Sequence, residues 1–160
     1  MLRHPEQVGK KDDIFLEPVS KKVAQFLGER NLYRAKNLSK DEFMQRATLE
    51  VDGLQFSMPM QLCRDSIEVG KEVDLFIRPE EVMIIREEKP VKESLKRNIF
   101  LGKVVAITDK RSYQVIDFQA MEGKVNIEIS IPNYAFRNLD VAIGKIVNVA
   151  LREESLWVMT

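Results

Sequence analysis

The sequence predicts a mainly β protein, two small barrels in tandem behind a short helical lead-in, and three observations predict it. Apolar residues alternate with polar ones: Leu54, Phe56 and Met58 with Gln55 and Ser57, and Val125, Ile127, Ile129 and Ile131 with Asn126, Glu128 and Ser130. That period of two marks half-buried strands. Gly53, Gly70, Gly102, Gly123 and Gly144 punctuate these runs at the spacing of a small barrel. Finally, the second half repeats the first. VGKEVDLFIRPEEVMI from Val69 matches IGKIVNVALREESLWV from Ile143, with Gly70 over Gly144, Lys71 over Lys145 and Arg78 over Arg152.

Taken in order, residues 1–30 form the helical lead-in. Pro18 and Ser20 precede Val23, Ala24, Phe26 and Leu27, and Gly28 closes the run, which predicts a capped helix; Lys11 to Leu16 predict a shorter helical turn. Residues 31–86 make the first lobe and 97–160 the second. NLYRAK from Asn31 lies over NIFLGK from Asn98, and LQFSMP from Leu54 lies over NIEISIP ending at Pro132. Residues 87–96, which hold Pro90 and few apolar side chains, are the expected connector. Parts repeated in the same order define a duplicated unit. At roughly 55–65 residues each lobe has a marginal core of its own, so the lobes are expected to share a buried face or exchange strands. The predicted architecture is two tandem oligonucleotide/oligosaccharide-binding (OB)-like barrels.

Composition removes several functions. The 160 residues carry 25 Lys and Arg against 25 Asp and Glu, so no net field draws in nucleic acid or an anionic membrane. Tyr113 and Phe118 lack the basic face that base stacking needs, which also argues against nucleic acid. One cysteine, Cys63, and one histidine, His4, exclude a Cys/His zinc site. Cys63 reads as a small buried hydrophobe. No phosphate cradle of the GxxxxGK[ST] kind, no GxGxxG, no HExxH and no GxSxG is present. The chain is therefore expected to be no enzyme and to carry no cofactor. Glu80 with Glu81 and Glu153 with Glu154 follow strands and read as solvated pairs. Met58, Met60, Met83 and Trp157 read as packing residues. The N-terminal MLRHPEQVGKKDD is too charged for a signal peptide, and no run nears the ~18 apolar residues of a membrane span. A cytoplasmic location is expected, peripheral to the membrane at most.

EQVGKKDDIFLEPVSKKVAQFLGERN, from Glu6 to Asn31, resembles the end of the ATP-binding subunit of ABC importers. The matching residues are Gln7, Gly9, Ile14, Phe15, Pro18, Val23, Ala24, Phe26, Leu27, Gly28 and Asn31, and IRPE at Ile77 to Glu80 is a second hallmark. The resemblance implies a C-terminal regulatory (TOBE-type) region that dimerises with itself and acts on the ATPase motor domain and, through it, on the membrane subunits. Met1 falls just after the place of the family's switch histidine. The expectation is an excised regulatory region, a truncated gene product or a stand-alone subunit.

The second lobe is also similar to the molbindins, small molybdate-binding proteins. Their SARNxxxGKV corresponds to LKRNIFLGKV, Leu95 to Val104, and their ITxxSxxxLxLxxGK to IPNYAFRNLDVAIGK, Ile131 to Lys145. The resemblance implies an oxyanion site, for molybdate or tungstate, using Arg97, Asn98 and Arg152, helped by Lys96 or Lys145 from a second chain. Three hydroxyl positions depart from the pattern: Leu95 and Pro132 replace a serine and a threonine, and Glu153 stands near a third. Three charge-assisted donors supply about 4.5–9 kcal/mol before ordering costs, whereas micromolar affinity needs about 8. A single lobe is thus a poor oxyanion site. The alternatives are a ligand-free spacer or dimerisation module, and a stand-alone barrel for a small anion or nucleic acid.

Overall fold

The computed structural model describes residues 31–62 and 68–159. The expected lead-in helices, His4 and Cys63 lie outside the described residues. Among the described residues ten strands follow one another: β1 (Leu32–Asp41), β2 (Arg46–Val51), β3 (Leu54–Pro59), β4 (Glu72–Ile77), β5 (Met83–Ile84), β6 (Ile99–Asp109), β7 (Tyr113–Ala120), β8 (Asn126–Pro132), β9 (Ile146–Ala150) and β10 (Leu156–Met159). The alternation seen in the sequence sets their faces, since Leu54, Phe56 and Met58 on β3 and Ile127, Ile129 and Ile131 on β8 are all buried.

The strands form two antiparallel five-stranded sheets, ordered β10-β4-β1-β2-β3 and β5-β9-β6-β7-β8. Each is an OB-like half-barrel, and each borrows its first strand from the other lobe. After β4 the chain makes a short 3₁₀ turn at Pro79–Glu81 and crosses to add β5 beside β9. After β9 it makes the equivalent turn at Glu153–Ser155 and crosses back to add β10 beside β4. The registers repeat as well. Trp157 lies opposite Phe76 as Met83 lies opposite Ala150, and Leu32 opposite Phe76 as Ile99 opposite Ala150.

Gly70 and Gly144 both have φ of +93°, a conformation that L side chains adopt only with strain. Each anchors the same bulged turn: Gly70 N–H donates to the Asn37 carbonyl and Gly144 N–H to the Val104 carbonyl, both at 2.7 Å. Asn37 and Val104 in turn donate to the carbonyls of Lys71 and Lys145, both at 2.9 Å.

The two half-barrels share one core. Leu49, Phe56, Met58, Leu75 and Ile77 of the first lobe and Phe100, Ile116, Phe118, Ile129 and Leu151 of the second belong to a single buried cluster. Phe56 and Phe100 meet edge to face across the seam, ring centres 4.9 Å apart at 69°, a contact that adds about 0.5–1.5 kcal/mol beyond area burial. Both outcomes expected from the small lobe size, a shared face and exchanged strands, are present. Among the described residues no helix is long and apolar enough to cross a membrane.

Candidate functional site

The polar residues with the most defined geometry lie along the seam between the lobes. Among the described residues β3 and β8 each end a sheet, so backbone groups on their outer edges have no ladder partner there. Two buried asparagines, equivalent in the sequence repeat, supply one. Asn98 donates from Nδ2 to the Ser57 carbonyl and accepts from the Ser57 N–H, both at 2.8 Å. Asn31 does the same to Glu128, again at 2.8 Å for both bonds. Each asparagine begins one lobe and caps the edge strand of the other. The symmetry is imperfect, for Ser57 stands two residues before Pro59 whereas Glu128 stands four before Pro132. Tyr33 reinforces the Asn31 clamp by placing its hydroxyl 2.6 Å from the Asn126 carbonyl and 3.2 Å from Asn31 Oδ1. Burial first, and the Glu128 charge second, push the Tyr33 phenol well above its ordinary pKa.

An ionic cluster sits beside the Asn98 clamp. Arg46, at the start of β2, is held by Ser57 Oγ at 3.2 Å from Nε and 2.8 Å from Nη2. Its Nη2 also donates to Glu153 Oε1. Arg97 Nε lies 3.5 Å from the same carboxylate oxygen. A fourth seam contact joins the two crossing turns, where Ser155 Oγ donates to Glu81 Oε1 at 3.0 Å. Glu153 is therefore not the solvated group expected of a carboxylate in a post-strand turn: its side chain is 18% exposed and closed in by two guanidinium groups.

The four candidate oxyanion residues occupy different places. Arg97 and Asn98 are adjacent at the seam, but both hydrogen-bonding ends of the Asn98 amide are committed to Ser57. Arg152 is half-exposed, its Nε 4.0 Å from Glu154. Lys145 forms an ion pair with Asp140 at 2.9 Å. It precedes β9, whereas Arg152 follows it, so the five residues of that strand, about 16 Å, separate Lys145 from the seam. Lys145 instead lines a groove of about 460 Å³ between β9 and the connector, together with Leu101, Ile146, Arg86, Glu88 and Lys89. The sequence does not single out Arg46, Ser57, Asn31 or Tyr33 as site residues. The pairing of Asn31 with Asn98 in the repeat is the one signal available for Asn31. Arg46 has none, because its position in the second lobe holds Tyr113. Among the described residues no group of three or more His, Cys, Asp or Glu is placed to hold a metal ion.

Two half-barrels with reciprocally exchanged strands and a common core define a tandem OB-like module. The cytoplasmic molybdate-binding protein ModG has this fold, with a TM-score of 0.65 over 81% of this chain and 95% of that one at 17% identity. No protein-family model matches the chain. The spermidine/putrescine import ATP-binding protein PotA of Onion yellows phytoplasma is 28% identical over 163 residues, covering 99% of this chain and 32% of that protein. PotA of Mesomycoplasma hyopneumoniae strain J is 30% identical over 115 residues, 72% of this chain and 22% of that protein. The molybdate/tungstate import ATP-binding protein WtpC of Pyrococcus abyssi is 26% identical over 152 residues, 95% of this chain and 39% of that protein. The chain is homologous to the C-terminal portion of ABC importer ATP-binding subunits. It spans between about a fifth and two fifths of the length of these relatives.

Proposed function

We propose that the chain is a non-catalytic regulatory region of an ABC importer ATPase, which biases the motor domains between closed and open arrangements by population shift. The observation that carries this reading is the reciprocal exchange of β5 and β10. A lobe that completes its neighbour's sheet cannot move without it, so a partner's contact on either lobe displaces both as one body. Self-association belongs to the same reading. The outer face of the second lobe presents Leu101 and Ile146 half-exposed, where the first lobe carries Arg34 and Glu72, with Arg34 in ion pairs to Glu72 and Asp74. The fold thus accepts charge at these two positions, and their apolar character in the second lobe suits contact with a second copy.

Oxyanion sensing is a second reading, supported by the likeness to ModG, with Arg46 and Arg97 at the seam both engaged by Glu153 within the single chain. Within one chain Lys145 stays out of reach of that pair, so this reading needs a second copy to supply it.

The test is an importer ATPase that carries this region, with the interlock broken by deletion of β10. Altered ATP turnover at unchanged nucleotide affinity is expected. Unchanged turnover contradicts the regulatory role.

A further inference from the structure

We propose that residues 18–28, which lie outside the described part of the chain, dock Val23, Phe26 and Leu27 onto the outer face of the first lobe. There Leu32, Phe76 and Trp157 form an apolar patch, and Arg78 and Trp157 carry buried donors that the docked segment satisfies.

Phe76 is the residue that calls for a cover. Val73, Leu75 and Ile77 of β4 belong to the shared core, so Asp74, Phe76 and Arg78 point the other way. Phe76 is nevertheless fully buried and forms a cluster apart from that core, with Leu32 and Trp157 packed against it. Those two stand directly opposite it on β1 and β10. Neighbours within one face of a sheet shield the sides of an aromatic ring, and shielding its top takes a further layer.

The same face holds donors that lack acceptors. Arg78 Nε and Nη2 and Trp157 Nε1 are buried with no hydrogen-bond partner. Arg78 pairs with Glu80 at 3.6 Å from Nη1 and with Glu81 at 4.0 Å from Nε, both beyond hydrogen-bond reach. Donors left in this state are costly, so the cover has to bring oxygen acceptors. The patch is particular to the first lobe. In the second, Ala150 stands where Phe76 does, and Arg152, the counterpart of Arg78, is half-exposed.

The occupant follows from chain continuity and from the pattern of the segment. Val23, Phe26 and Leu27 recur at the i, i+3, i+4 spacing of one helix face. Gly28, which closes that run, stands four residues before Leu32, at most about 14 Å of chain, and Leu32 is itself part of the patch. The last turn of a helix leaves carbonyl groups unpaired at the negative end of its dipole, acceptors suited to a guanidinium and an indole N–H. The internal repeat offers a parallel. The connector before Asn98 runs along the outer face of the second lobe, where Arg86, Glu88 and Lys89 line one groove with Leu101 and Ile146. In an importer ATPase that carries this region, the docked segment is the link from the motor to the first lobe; that consequence rests on the regulatory reading, whereas the docking does not.

Trp157 is the one tryptophan of the chain, so its fluorescence reads the cover without recourse to ATP turnover. The test is acrylamide quenching of the full chain and of two variants, the double substitution Phe26→Asp with Leu27→Asp and, on the opposite helix face, Gln25→Asp. The double variant should be quenched several-fold more strongly, with its emission moved to the red, while Gln25→Asp matches the unaltered chain. Shielding should not change on dilution. Equal shielding in all three proteins, an equal loss in both variants, or shielding that fades on dilution because a second copy is the cover, overturns the proposal. If the double variant does not fold, amide exchange of the unaltered chain decides. Amides of residues 20–28 should exchange at least about tenfold more slowly than in the unfolded chain, and exchange at the unfolded rate overturns the proposal.

Discussion

Asn98 shows how one side chain sets the seam. Its amide is fully buried and gives both its bonds to Ser57, so Asn98→Ala strands a backbone N–H and a carbonyl together. At about 1–3 kcal/mol for each orphaned group, the expected loss is about 2–6 kcal/mol, read as a lower denaturant midpoint at unchanged slope. A loss below about half a kcal/mol would mean that water replaces the clamp. Tyr33 supports the matching clamp on the other side and carries a pH signature. Its phenol pKa is raised by folding, so its contribution to stability is complete below the unfolded value near 10 and fades as pH rises through it toward the folded value. Unfolding followed from about pH 8 to 11 should show a decline that Tyr33→Phe removes. The sequence displayed the equivalence of Asn31 and Asn98 but not its purpose, because the groups they hold lie far away along the chain. For the same reason it misplaced Glu153 in solvent, since Arg46 lies 107 residues from it in sequence.

At the scale of the element, alternation alone located β3 and β8, and the repeat aligned β4 with β9 and their glycine turns. Gly144→Val should destabilise the second lobe by about 1–2 kcal/mol, the penalty for forcing an L side chain into a left-handed backbone. Open space around that position, with no atom within 4 Å of an added Cβ, makes conformation rather than crowding the cause. Hydrogen exchange should therefore quicken first around Val104 and Lys145, whose bonds close the turn. What the sequence could not display is the sheet that β5 and β10 join. Runs such as VMI and LWV satisfy a strand in either lobe, and only the marginal size of the lobes argued for exchange. Removing residues 156–160 should thus expose β4, in the first lobe, although those residues belong to the second by sequence.

For the whole molecule, the shared core and the exchanged strands make one cooperative unit of two repeated halves. Differential scanning calorimetry of the full chain tests this interlock most directly. The account predicts one transition, with the van't Hoff enthalpy equal to the calorimetric enthalpy, and Gly144→Val lowering the stability of both lobes together. Two separable transitions, with Gly144→Val shifting one and leaving the other in place, would contradict it and would remove the basis for passing a signal from one lobe to the other.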